Sequence, residues 1–180
     1  MTIHGIRNGS TEITRGGAFE TSRGTSGNFT EIVTGTRDAF TRTSSAVDGD
    51  GNTLVSRATE VTRNEDGTLS FTSTIQGPDG ESYTREGTIE KTDAGTYTAR
   101  GTLTGQDGAT FEFTSTVGGT DGQRDVATEI AKDGEAIASV ATSTVRGDDE
   151  LTRTNTITGA GEHGKSHSST IRVTGLDVHV

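Results

Sequence analysis

The chain has 180 residues and a formal net charge of −10, from 16 Lys and Arg against 26 Asp and Glu. It has no Cys, which excludes a disulfide scaffold, thiolate zinc sites and thiol catalysis. The acidic balance argues against nucleic acid, whose binding rests on Lys and Arg neutralising phosphates.

Ile, Leu, Val and Phe together number 32, against 36 Thr. So few large apolar residues at this charge fit a disordered composition. Thr, however, is a strand former, and the apolar residues recur at regular spacing. The reading is a folded chain with a thin core.

Along the first 47 residues, Asn8-Gly9-Ser10, Gly16-Gly17 and Arg23-Gly24-Thr25-Ser26-Gly27 cut the chain into short pieces before a longer strand pattern from Phe29 to Val47. Residues 1–47 therefore read as an irregular or edge-forming N-terminal segment. Residues 48–180 read as a regular Thr/Gly-rich β-meander, with one continuous domain over 1–180 as the alternative. Asp-Gly pairs punctuate the second part at Asp50-Gly51, Asp66-Gly67, Asp79-Gly80, Asp107-Gly108, Asp121-Gly122 and Asp133-Gly134. Asp-Gly favours the type I′ hairpin turn. Between the turns the pattern alternates: Leu69, Phe71, Ser73 and Ile75 share one face, and Thr68, Ser70, Thr72 and Thr74 the other. No stretch carries helical spacing. The expected fold is all-β: an antiparallel β-meander of long hairpin-linked strands, laid out as a sandwich or an extended twisted sheet, with no helix.

Large apolar residues sit six apart within the strands, as in Val55 and Val61, Leu69 and Ile75, Tyr83 and Ile89, Phe111 and Val117. Between these anchors the face is small or polar, and Arg57, Arg85 and Arg153 fall on it. So thin a middle predicts close approach of another backbone, for example over Gly101, or a sheet partly wet on both faces, and a chain this poor in aliphatics is not expected to close a barrel around a ligand cavity.

Asp48, Asp50 and Asn52 place oxygen ligands at alternate positions, as calcium loops do. They depart from the EF-hand, with Thr53 at the sixth position and Thr59 at the twelfth. Calcium is the one candidate cofactor. His163 and His167 lie four apart and, on a strand, about 13 Å apart, so they read as solvated, as does His179. There is no nucleophile elbow, phosphate-cradling loop or carboxylate pair at acid–base spacing, and no enzyme is expected. No apolar run reaches the roughly 18–20 residues of a helical membrane span, and Met1-Thr2-Ile3-His4-Gly5 lacks a signal-peptide pattern.

The pairs Thr72-x-Thr74, Thr102-x-Thr104, Thr114-x-Thr116 and Thr142-x-Thr144 resemble the Thr arrays of ice-binding β-proteins, although Glu86, Arg100 and Glu112 interrupt them. In composition the meander resembles bacterial cell-surface and matrix repeat proteins. The function expected is a non-enzymatic structural protein, the self-assembling subunit of an extracellular fibre, matrix or surface layer. Its partners would be copies of itself. An open meander has two edge strands; the apolar ends, Ile3 and Ile6 with Leu176, Val178 and Val180, would pair between subunits, a heterologous contact that builds filaments. The alternatives are an adhesin-like or ice-binding module acting through the Thr face, and a calcium-stabilised surface stalk.

Overall fold

A computed structural model describes residues 10–93, 95–147, 150–159 and 165–179, with side chains through Thr174. Twelve strands follow one another: β1 (Thr11–Thr21), β2 (Ser26–Gly35), β3 (Ala39–Asp48), β4 (Thr53–Arg63), β5 (Leu69–Gln76), β6 (Ser82–Asp93), β7 (Thr96–Thr104), β8 (Thr110–Thr120), β9 (Gln123–Lys132), β10 (Glu135–Arg146), β11 (Glu150–Gly159) and β12 (Ser166–His179). Each pairs antiparallel with the next, and β12 returns to β1. The fold is thus the all-β, hairpin-linked meander expected, in a more specific form: a closed barrel.

Closure corrects the expectation that a chain this poor in aliphatics would not enclose a cavity. The ladder that shuts the barrel is main-chain hydrogen bonding between β1 and β12, from Thr14 opposite His179 to Thr21 opposite Ile171. That step removes both sheet edges and needs little apolar surface. Twelve strands also set a wide interior, which polar side chains fill where aliphatics are missing.

Residues 11–48 are not irregular. They form β1, β2 and β3, each ten or eleven residues long. Their glycines serve the sheet. Gly24 takes φ +84° in the β1–β2 turn, and a Cβ on Gly27 would stand 1.9 Å from the Val47 carbonyl oxygen.

The turns also differ in type from the expectation. At Asp48–Asn52, Asn64–Thr68, Gly77–Glu81 and Gly105–Ala109 the glycine N–H closes a four-residue turn onto the carbonyl three residues back, while the first residue's N–H bonds the carbonyl four residues on. Only the glycine of each is left-handed. This is the three-residue hairpin loop with a glycine bulge. Asp133, at φ 53°, is the one left-handed non-glycine among the described residues, so Asp133-Gly134 alone has the positive φ pair of type I′.

Side chains alternate between wall and interior. Thr72, Thr74, Arg100, Glu112, Thr114 and Thr116 are exposed on the outer wall. Inward, Ile13, Val33, Phe40, Val61, Phe71, Ala99 and Phe113 form the buried cluster, with Leu69 and Ile89 packed against it. The backbone close over Gly101 is the neighbouring strand and not a second layer: a Cβ there would stand 1.9 Å from the Glu86 carbonyl oxygen and 2.6 Å from the Gly87 Cα. Gly87 and Gly101 are register partners, so the pair lets β6 and β7 approach more closely than Cβ atoms would allow.

Candidate ligand site in the barrel lumen

In β4, β5, β6, β7, β8 and β11 large apolar residues stand near both ends of the strand, so apolar side chains gather toward the two ends of the barrel. At the end bearing the β2–β3, β4–β5 and β6–β7 turns lies a floor of buried residues, among them Ile13, Val33 and Phe40. The opposite end bears the β3–β4, β5–β6 and β11–β12 connections. There Val55, Tyr83 and Ile157, which share the inward alternation of their strands, are 40%, 43% and 49% exposed. This end is the mouth.

Between floor and mouth is a cavity of about 460 Å³, within the usual range for small-molecule sites, about 300–1,000 Å³. Leu103, Ile130 and Val140 line it on the mouth side, and Phe71, Ile89 and Val117 on the floor side. Five arginines line it: Arg57, Arg85 and Arg153 around its waist, and Arg42 and Arg124 nearer the floor. No carboxylate among the described residues lines the cavity. The nearest acid is buried Glu31, which pairs with Arg42 and, at 3.3 Å, with Arg15.

Neutral groups hold the other arginines. Arg57 donates from Nε to Ser73 Oγ at 2.8 Å and to Thr59 Oγ1 at 3.2 Å, and the Ser73 side chain is fully buried. Arg85 donates from Nη2 to Ser115 Oγ at 2.8 Å, and Ser115 shares a 2.7 Å bond with Thr128. The Arg85 guanidinium lies 3.8 Å from the Phe113 ring centroid and 5.5 Å from that of Phe71, a cation–π clamp. Arg153 Nε donates to Asn155 Oδ1 at 3.0 Å, the atom that Thr142 also reaches. Buried Arg124 Nε has no hydrogen-bond partner.

Hydroxyls, an amide oxygen and aromatic faces satisfy hydrogen bonds and quadrupoles but bring no negative charge. The electrostatics follow. Burial, with repulsion from Arg57, draws Arg85 down to about 10. Burial, then repulsion from Arg42 and Arg153, lowers Arg57 and Arg124. A chain with ten excess negative charges has thus gathered like positive charges in a partly desolvated cavity, offset at Arg57 by Glu31 alone, an arrangement that costs stability.

The sequence-derived candidates fall elsewhere. Asp48, Asp50 and Asn52 sit in the β3–β4 turn, where Asp48 Oδ1 accepts from the N–H groups of Asp50 (2.9 Å) and Asn52 (2.8 Å), and Oδ2 from Asn52 Nδ2 (3.0 Å). Those bonds from Asn52 hold the Asp48 carboxyl below its ordinary value. The carboxylate thereby braces its own turn. Among the described residues no three His, Asp or Glu side chains converge as a metal site. Ile3, Ile6, Val180 and His163 lie outside the described residues. Leu176 and Val178 belong to β12, and Val178 is the register partner of Arg15, so this ladder is used within the chain. His167 is exposed, with Nδ1 3.4 Å from Arg23 Nη2. Of the Thr pairs, Thr142 and Thr144 line the cavity instead of joining the outer wall.

The alternation flagged Arg57, Arg85 and Arg153 as sharing the thin face. Arg42 and Arg124 escaped notice, although both hold the same inward alternation in β3 and β9. Comparison with known protein families, curated proteins and solved structures finds no match.

Proposed function

We propose that this barrel is a non-enzymatic binding protein that holds a small organic anion in its lumen. The observation that carries the reading is the waist of arginines without a lining carboxylate. Guanidinium groups offer planar, paired donors suited to carboxylate, sulfonate or phosphate, and two of them are already oriented by Ser73, Thr59, Ser115 and Phe113. No nucleophile with an adjacent base lines the cavity, which favours binding over catalysis. The outer wall of Thr, Glu and Arg is unlike the apolar outer band of membrane barrels. Among the described residues no helix is long and apolar enough to cross a membrane.

The test is calorimetric titration with a panel of carboxylates, sulfonates and phosphates against the intact protein and the Arg124→Gln/Arg153→Gln double variant. Saturable binding that the double variant loses by at least tenfold is expected. Binding of no member of the panel, or equal binding by the variant, overturns the reading.

A second reading is self-assembly into an extracellular or cell-surface structure, supported by hydroxyl pairs on the outer wall, such as exposed Thr74 opposite half-buried Thr84. Closure takes up the strand edges between β1 and β12, so assembly would use the outer wall or the terminal residues. Discrete monomers by light scattering and electron microscopy at high concentration, with and without calcium, would sink it.

A further inference from the structure

The lumen is polar at its waist and apolar toward its mouth, and that order along the axis says what kind of anion fits. We infer that the ligand is an amphipathic monoanion with an unbranched or slender apolar tail, bound head-down among Arg57, Arg85 and Arg153 with its tail along Leu103, Ile130 and Val140 toward the mouth. The inference rests on the binding reading above and adds the substrate class and its direction.

Three observations carry it. First, the cavity of about 460 Å³ far exceeds a bare phosphate or sulfate, and the walls above the arginines are aliphatic. Second, the floor is sealed: Ile13 and Val33 are 2% and 3% exposed, so a ligand longer than the cavity can extend only toward the mouth. Third, the mouth leaves Val55, Tyr83 and Ile157 in contact with water. Val55 and Tyr83 each stand two residues, about 7 Å, above a waist arginine on the same face. Three exposed apolar side chains at a rim gain from covering by a tail, and a fully hydrophilic anion would leave them wet. The negative charge of the whole chain repels anions at long range, so apolar attraction at the mouth also aids capture.

Two measurements test it. In the first, acetate, hexanoate and decanoate are titrated beside decanol, citrate and inorganic phosphate. Affinity should rise about three- to fourfold per added methylene until the tail reaches the mouth, and decanoate should exceed decanol by at least about tenfold. Citrate or phosphate binding more tightly than decanoate overturns the amphiphile while leaving an anion-binding lumen. No binding by any anion overturns both readings.

The second measurement fixes direction. The chain has no Trp, so Tyr83→Trp at the mouth and Tyr97→Trp near the opposite end each give a single reporter. Bromine quenches a nearby indole. 10-Bromodecanoate should quench the Tyr83→Trp protein strongly and the Tyr97→Trp protein weakly, while plain decanoate quenches neither. The reverse ranking means a tail-down ligand and overturns the orientation.

Discussion

The floor and the waist of this barrel are built from the same strands two to four residues apart, and they make opposite use of burial. At the floor, Ile13, Val33, Phe40, Val61 and Phe71 remove apolar surface from water, which stabilises the fold by about 25 cal/mol per Å². At the waist, Arg57, Arg85 and Arg153 are partly desolvated, with Arg57 repelling Arg85 and Arg153 repelling Arg57 and only Glu31 easing the charge on Arg57, which opposes folding. The floor and the closed ladder make a stable shell, and that surplus lets the waist keep an unfavourable charge arrangement. Such local costs are what a binding site retains when it is preorganised for a ligand.

The largest effect that would break this division is at Phe113, 4% exposed, in the buried cluster and under the Arg85 guanidinium. Phe113→Ala should lose about 3–5 kcal/mol by urea denaturation and release Arg85 from its clamp. A loss under about 1 kcal/mol would mean that the apolar cluster does not carry the shell.

Arg85→Met should act in the opposite direction, raising the stability of the ligand-free protein by about 1–2 kcal/mol, as apolar replacement of buried charge does elsewhere, while weakening anion binding. The pH dependence has a definite sign. The folded-state pKa, about 10, lies well below the ordinary arginine value, so the folded state sheds this proton first. The penalty is complete below about pH 10 and eases as pH rises above it. The gain from Arg85→Met should therefore be flat from pH 6 to 9 and shrink above 10. A variant less stable than the parent at neutral pH would show that Arg85 is a net support.

The smallest effects separate turn from wall. Gly134, at φ 81°, has open space where a Cβ would go, so Gly134→Val should cost about 1–2 kcal/mol through backbone strain alone. Thr114→Ser on the exposed outer wall should stay within about 0.5 kcal/mol. Equal shifts in thermal midpoint for the two would contradict the left-handed turn.

What could be read from sequence depended on how local the cause was. The alternation of Leu69, Phe71, Ser73 and Ile75 was legible because side-chain direction in a strand repeats every two residues, and β5 does bury Phe71 and Ser73. Thr142 was misplaced because Thr-x-Thr spacing carries no sign of which face is inner. β10 shifts register between Ala136 and Ala138, and Thr142 lies on the lumen side with Val140. Asp48, Asp50 and Asn52 fit a cation loop by spacing alone, and spacing does not reveal that the Asp48 oxygens accept from the N–H groups of Asp50 and Asn52 in their own turn.

From residue 48 onward the sequence by itself determined the strand content, the antiparallel order and the sites of the turns, because alternation, glycine placement and chain direction act within a dozen residues. It also placed Arg57, Arg85 and Arg153 on the face of the apolar anchors. Only the tertiary structure decided that β12 meets β1, because closure depends on the twist and stagger summed over twelve strands. With closure came the two consequences that bear on function: five arginines from β3, β4, β6, β9 and β11 turned toward one cavity, and the terminal strands spent their main-chain bonds on each other.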